Sequence, residues 1–201
     1  MAHELECKIA VPSHDRLVEL LRSAGAKRIG RVRETNRLLD TPDRSIFHRG
    51  CGLRVRTIEV LDGAGPSSSL AFKGPVQQSA FKCREEIQID LPDRGDRNPA
   101  APENGSKADE GMLRLLHAIG FSEWLTFEKI RESWQLSGCA IELDELPLLG
   151  RFVEVEGPSD HEIRRCLEVL GLDAASSIQT SYPGLLAKRM GETQPPWVVK
   201  F

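Results

Sequence analysis

The chain is poor in the features that mark the commonest protein classes. No apolar run is long enough to cross a bilayer, and the opening "MAHELECK" is too charged to serve as the core of a signal peptide. The five cysteines, Cys7, Cys51, Cys83, Cys139 and Cys166, are scattered and odd in number, with no C-x-x-C. No Cys/His cluster has zinc-ligand spacing, so they read as reduced thiols of a cytoplasmic protein. A Walker loop is missing: "DGAGPSSS" lacks the G-K-[ST] ending, and "FKGP" is not one. Aromatic residues are 5% of the chain, and no nucleobase clamp stands out among them. A net charge of −3 gives no basic excess, which argues against DNA and against an anionic membrane as partners. What remains is ordinary in bulk: 201 residues, 40% hydrophobic and 28% charged, enough for one domain with a core. The information lies in where the charges fall.

Alternation of apolar and polar residues predicts eight strands, over 3–10, 27–39, 52–60, 69–74, 82–91, 124–136, 139–144 and 151–156. Amphipathic helices are expected between them. "SHDRLVELLRSAGA" offers Ser13 as N-cap and Gly25 as stop, and "DEGMLRLLHAIGF" stops at Gly120. "PSDHEIRRCLEVLG" carries a capping box, Ser159 with Glu162, and ends at Gly171; a last short helix covers about 181–190. Residues 61–69 read as a hairpin loop. Residues 92–111, rich in Pro, Gly, Asp and Asn, read as a variable loop without chemistry. The expected organisation is one domain over 1–190 and a tail, 191–201, that packs back through Trp197 and Phe201 or hangs free.

Side chains at i and i+2 share one face of a strand. Applied strand by strand, that rule collects Glu4, Glu6 and Lys8; Arg54 and Arg56; Lys73; Lys82, Arg84 and Glu86; Lys129 and Arg131; Glu142 and Asp144; Glu154 and Glu156. The residues between them are mostly apolar, among them Leu5, Cys7, Leu53, Val55, Ile141, Leu143, Val153 and Val155. One charged strand face is a solvated surface. Seven in one chain, with apolar backs for the helices to cover, point together, and if the sheet curls shut they line the inside of a barrel. A charged lumen is costly unless its charges are solvated, paired or held by a ligand. Paired acids suit a hard divalent cation such as Mg2+ or Mn2+, and clustered bases suit a chain of phosphates.

The block "ELECK" resembles the E-x-E-x-K signature of the CYTH domain, or triphosphate tunnel metalloenzyme, family. "LLDTPDRSIFHRGCGLRVR", "LAFKGP", "KCREEIQI", "FEKIRESWQL", "IELDELPLLGRFVEVEGP" and "TSYPGLLAKR" resemble further family blocks in the same order, and the likeness is greatest to the class IV adenylyl cyclase branch. The resemblance implies an α+β fold: an eight-stranded antiparallel closed β-barrel covered by amphipathic helices. It implies Glu4, Glu6, Asp144, Glu154 and Glu156 as ligands of Mg2+ or Mn2+. Lys8, Arg54, Arg56, Lys73, Arg84, Lys129 and Arg131 are implied as triphosphate contacts, and Glu4, Glu6, Lys8 and Glu86 as the catalytic set. Asp40 is expected to hold the tunnel mouth or a basic partner. The chain departs from the family at Leu38 and Leu39, where relatives carry an aromatic, and at Asn36, where an acid is usual. These changes touch the tunnel wall and bear on substrate choice.

Three readings follow. One is cyclisation of ATP to cyclic AMP and pyrophosphate. A second is hydrolysis of inorganic, nucleoside or thiamine triphosphate. The third is a barrel that binds polyphosphate without turning it over. A small-molecule triphosphate is the expected partner, and a homodimer is possible through a barrel edge or the helical layer.

Overall fold

The computed structural model describes residues 2–63, 66–77, 80–91, 108–191 and 194–201. Strands β1 (Ala2–Val11), β2 (Lys27–Asp40), β3 (Gly52–Val60), β4 (Ser67–Lys73), β5 (Lys82–Leu91), β6 (Ser122–Leu136), β7 (Cys139–Leu146) and β8 (Gly150–Glu156) follow one another round a sheet in which every neighbouring pair is antiparallel. The order runs β2-β3-β4-β5-β1-β8-β7-β6, and pairing of β2 with β6 closes it. This is the eight-stranded antiparallel barrel of an α+β fold. Closure leaves no open edge in the ring, the usual hazard of an all-antiparallel sheet.

Five helices accompany the barrel among the described residues: α1 (Asp15–Ser23), α2 (Ser45–His48), α3 (Ala108–Ala118), α4 (Asp160–Val169) and α5 (Tyr182–Met190). The outward strand residues Cys7, Ile9, Ile141, Leu143, Val153 and Val155 are buried under Leu17 and Leu21 of α1 and Ile163, Cys166 and Leu167 of α4. Leu113 and Leu116 of α3 cover Val55 and Leu39. The glycine stops hold, with Gly25 at φ +72 and Gly171 at φ +62. Ser159 caps α4 by accepting from the Glu162 amide, as the capping box requires. None of the described helices is long and apolar enough to cross a membrane.

Three expectations need correcting, and one pair of alternatives is decided. His14, not Ser13, is the N-cap residue of α1; Ser13 sits one position earlier, where its hydroxyl accepts from the Asp15 amide at 3.1 Å. The hairpin expected over 61–69 is shorter, because β4 already begins at Ser67. Of the loop expected over 92–111, residues 108–111 form the first turn of α3, and 92–107 lie outside the described residues. Residues 194–201 do not hang free. A ninth strand, β9 (Trp197–Val199), pairs in parallel with Leu125, Thr126 and Phe127 of β6.

One close approach fixes α4 against the barrel. A Cβ added at Gly157 would stand 2.8 Å from Cys139 Sγ and 3.0 Å from Ile163 Cγ1. Gly157→Ala is therefore expected to cost about 1–3 kcal/mol by overpacking. A urea titration reads this directly, and an unchanged midpoint would show that α4 shifts freely.

Candidate active site inside the barrel

The inward faces of the strands form one cavity of about 960 Å3. Its wall includes Glu4, Glu6, Lys8, Arg54, Arg56, Lys73, Lys82, Arg84, Glu86, Lys129, Arg131, Glu154 and Glu156. Every expected site residue except Asp144 lines this space, and Asp144 stands directly behind it. Strand register explains the convergence. Glu4 lies opposite Arg84 and Glu6 opposite Lys82 on one side of β1, while Glu6 and Lys8 lie opposite Glu156 and Glu154 on the other.

The charges are sorted into clusters. Lys73 Nζ donates to Glu4 Oε1 at 2.8 Å and lies 2.9 Å from Glu86 Oε2; Arg84 Nε donates to Glu4 Oε2 at 3.1 Å. Buried Lys82 donates to buried Glu6. Arg131 forks onto Asp144, with Nε to Oδ1 at 2.7 Å and Nη2 to Oδ2 at 2.6 Å, and also reaches Glu154 Oε2 at 2.5 Å. Asp144 is 0% exposed and also accepts from Lys129 at 3.1 Å and from the Tyr182 hydroxyl at 2.9 Å. Glu142 takes the Ser133 hydroxyl at 2.5 Å and lies 3.6 Å from Arg131.

Lys8 is different. Its Nζ is buried without a hydrogen bond, 3.9 Å from Glu154 and 4.4 Å above the Tyr182 ring. Burial pulls this ammonium down to about 8, against the opposing pull of Glu154. Burial also lowers Arg54, to about 10, and repulsion from Arg56 adds to it. A pair of depressed cations is a standing demand for anionic charge. The acids show the converse at one point only. Loss of solvation raises Glu156, and the charges of Glu4 and Glu6 push it further, to about 7.

Several residues of the site were not in the expected set. Glu34, 2% exposed, lies 3.5 Å from both Lys129 and Arg56. Burial works to raise its carboxyl, but Lys129, Arg131, Arg56 and Arg54 together outweigh that and hold it at about 2. With a folded value below the unfolded 4.5, Glu34 stabilises the fold above about pH 4.5 and loses that contribution as pH falls toward 2. Fully developed, the shift is worth about 3 kcal/mol. Glu34→Gln is expected to flatten the acid limb of the stability curve; a limb of unchanged slope would remove Glu34 from that role. Asn36, fully buried, accepts from Arg54 at 3.2 Å. Arg31, Arg33 and Arg37 have the opposite parity: Arg33 faces Glu59, and Arg37 reaches Asp109 and Thr57.

The cavity has a second, apolar end. Leu38, Phe127, Leu146 and Phe152 share their strand faces with Asn36, Lys129, Asp144 and Glu154, and they pack against Tyr182 and Leu186 of α5. The helix thus fills one end of the barrel from inside. Leu39, Ile46, Phe47 and Trp124 continue this lining. Asp40 organises it: Oδ1 accepts the Ile46 amide at 3.0 Å and Oδ2 the Phe47 amide at 2.8 Å, which anchors α2. Its cationic neighbour is Arg44, at 3.9 Å.

Among the described residues, no three acidic, histidine or cysteine side chains stand ready-made around a metal position. The donor chemistry at Glu4, Glu6, Glu154 and Glu156 fits a hard divalent cation, since all are carboxylates on adjacent strands β1 and β8 and Glu156 is strained by its acidic neighbours. Asp144, behind the wall, is held at both oxygens by Arg131, Lys129 and Tyr182, as Glu4 is by Lys73 and Arg84.

Against known proteins, residues 2–182 match the CYTH domain, and the chain belongs to that family. A protein of Methanocaldococcus jannaschii named "Putative adenylate cyclase" is 26% identical over 188 residues, covering 89% of this chain and 95% of its own. The PH1819 protein of Pyrococcus horikoshii shares the fold at TM-score 0.72 and 24% identity, covering 92% of this chain and 99% of its own. HpAC1 of Hippeastrum, reported with a dominant triphosphatase activity, superposes at TM-score 0.61 with 16% identity over 97% of this chain and 98% of its own.

Proposed function

We propose that the chain is a Mg2+- or Mn2+-dependent enzyme that grips a triphosphate along the basic wall of the barrel and converts ATP to cyclic AMP and pyrophosphate. The observation that carries this reading is the convergence of Lys8, Arg54, Arg56, Lys73, Arg84, Lys129 and Arg131, from five strands, on one cavity that also holds Glu4, Glu6, Glu154 and Glu156. The name of the Methanocaldococcus relative supports the choice of cyclisation. In that reaction the ribose 3′-oxygen bonds to the α-phosphorus, the bond to the β-phosphate oxygen breaks, and pyrophosphate leaves. The bases neutralise the charge that builds on the departing pyrophosphate. In this reading Glu86, which lines the cavity 2.9 Å from Lys73 and 3.7 Å from Arg54, takes the hydroxyl proton. Glu4, Glu6, Glu154 and Glu156 would hold the divalent ion, whose chemistry is to polarise the phosphoryl oxygens.

Hydrolysis of a triphosphate is the second reading, and the activity reported for the Hippeastrum neighbour favours it. Both reactions use the same bases. Purified protein with Mn2+ or Mg2+ should be given ATP, inorganic triphosphate and thiamine triphosphate in separate reactions. Cyclic AMP with equimolar pyrophosphate establishes the cyclase. Orthophosphate released from any of the three, without cyclic AMP, replaces it with the hydrolase. Binding without turnover in every reaction would leave a polyphosphate-binding barrel.

A further inference from the structure

The family match ends at residue 182, yet the chain returns to the barrel wall afterwards. Strand β9 runs parallel to β6, with Trp197 opposite Leu125 and Val199 opposite Phe127. Val199 is 4% exposed and belongs to the same cluster as Phe127, Phe152 and Tyr182. The Phe201 amide donates to Glu128 at 3.3 Å. The segment is therefore fixed along the strand that supplies both Lys129 and Trp124. From that position Trp197 meets Trp124 edge-on, with centroids 6.1 Å apart and an interplanar angle of 72°. Trp124 in turn meets Phe47 edge-on at 5.3 Å, and the Arg44 guanidinium lies 4.2 Å from the Trp124 ring centre and 4.8 Å from that of Phe47.

Phe47 and Trp124 line the cavity that holds the bases, whereas Trp197 does not. Its contact is with the back of the wall. A cavity of about 960 Å3 is at the top of the roughly 300–1,000 Å3 range of sites for organic ligands, and one end of it is apolar and aromatic. Inorganic triphosphate has nothing to place there. An aromatic base linked to the triphosphate does.

We propose that the C-terminal segment, through Trp197 on Trp124, positions the aromatic end of the cavity and so gives the chain its preference for a triphosphate that carries an aromatic base over inorganic triphosphate. This rests on the reading that the barrel binds triphosphates. Trp197 is a positioning residue: it acts through Trp124 and touches no substrate.

The test is calorimetric binding of ATP and of inorganic triphosphate in EDTA, where binding is read without turnover. The wild-type protein, Trp197→Ala, Trp197→Leu and Trp197→Phe are compared. Loss of an edge-to-face contact is expected to weaken ATP about five- to tenfold in the alanine and leucine proteins. Inorganic triphosphate should stay within about twofold, which also shows the barrel intact, and phenylalanine should restore most of the loss. Should the alanine protein fail to fold, the leucine protein, which keeps the apolar bulk, carries the comparison. Equal weakening of both ligands, no change in either, or equal affinity of the wild type for both overturns the proposal. A wild-type protein that binds neither ligand overturns the triphosphate reading itself, and this one with it.

Discussion

Arg131→Ala is expected to lose about 3–5 kcal/mol of folding stability, the range for breaking a buried ion pair from one side. Arg131 holds both oxygens of Asp144 and one of Glu154, with Glu142 3.6 Å away. Asp144 is fully buried and would keep only Lys129 and Tyr182. The guanidinium is itself held far above its usual range: burial would lower it, but Asp144, Glu34 and Glu154 together more than reverse that. Arg131→Lys keeps the charge but not the fork, so it should recover only part of the loss. Denaturant midpoints measure the effect. A loss below about 1 kcal/mol would mean that the cluster rearranges around the gap. Arg131 also faces the cavity, so the lysine protein is expected to bind inorganic triphosphate more weakly while remaining folded.

Glu4→Gln and Glu154→Gln are expected to lower metal-dependent turnover on the order of 10³-fold or more, with the fold intact. Both substitutions keep shape and remove one negative charge from the strands that face each other as β1 and β8. Glu4 has a second readout. It now neutralises Lys73 and Arg84, so the glutamine leaves Arg84 without its carboxylate and Lys73 with Glu86 alone, which favours an incoming polyanion. Metal-free binding of inorganic triphosphate should therefore tighten in the variant whose turnover is lost. A carboxylate that only braces the wall would weaken both. Full activity in either glutamine protein would remove that residue from the site.

The barrel was legible because its strands are amphipathic in an unusual sense. Glu6 and Lys8 face the lumen while Cys7 and Ile9 face helices, and a strict two-residue period marks both sides. Strand β2 shows where this reading weakens. Its five basic residues include Arg31, Arg33 and Arg37, which point outward, whereas the inward residues are Glu34 and Asn36. The parity of Asn36 was a sufficient signal for Glu34, two positions earlier. Tyr182 had no such signal. It enters the barrel from the first turn of a helix, and its contact with Asp144 spans 38 residues. The aromatic end was hidden for the same reason. Phe47, Trp124 and Trp197 come from three separate elements, and only the closed barrel brings them together.

The route by which the ring closes bears on how the chain reaches its native state. β1 finds its neighbours at residues 82–86 and 151–156, and β2 must wait for β6 at 122–135. The meander β2-β3-β4-β5 can form from local hairpins, but no partial chain ending before β8 can seat its own first strand on both sides. Pairings of such long sequence separation delay the reward for ordering the backbone, so refolding on the millisecond-to-second scale is the natural expectation. Until β8 arrives, β1 carries an unpartnered edge with Glu4, Glu6 and Lys8 on one face. Those charges disfavour edge-to-edge sticking between growing chains. The charges that line the finished lumen thus also disfavour aggregation of the nascent polypeptide.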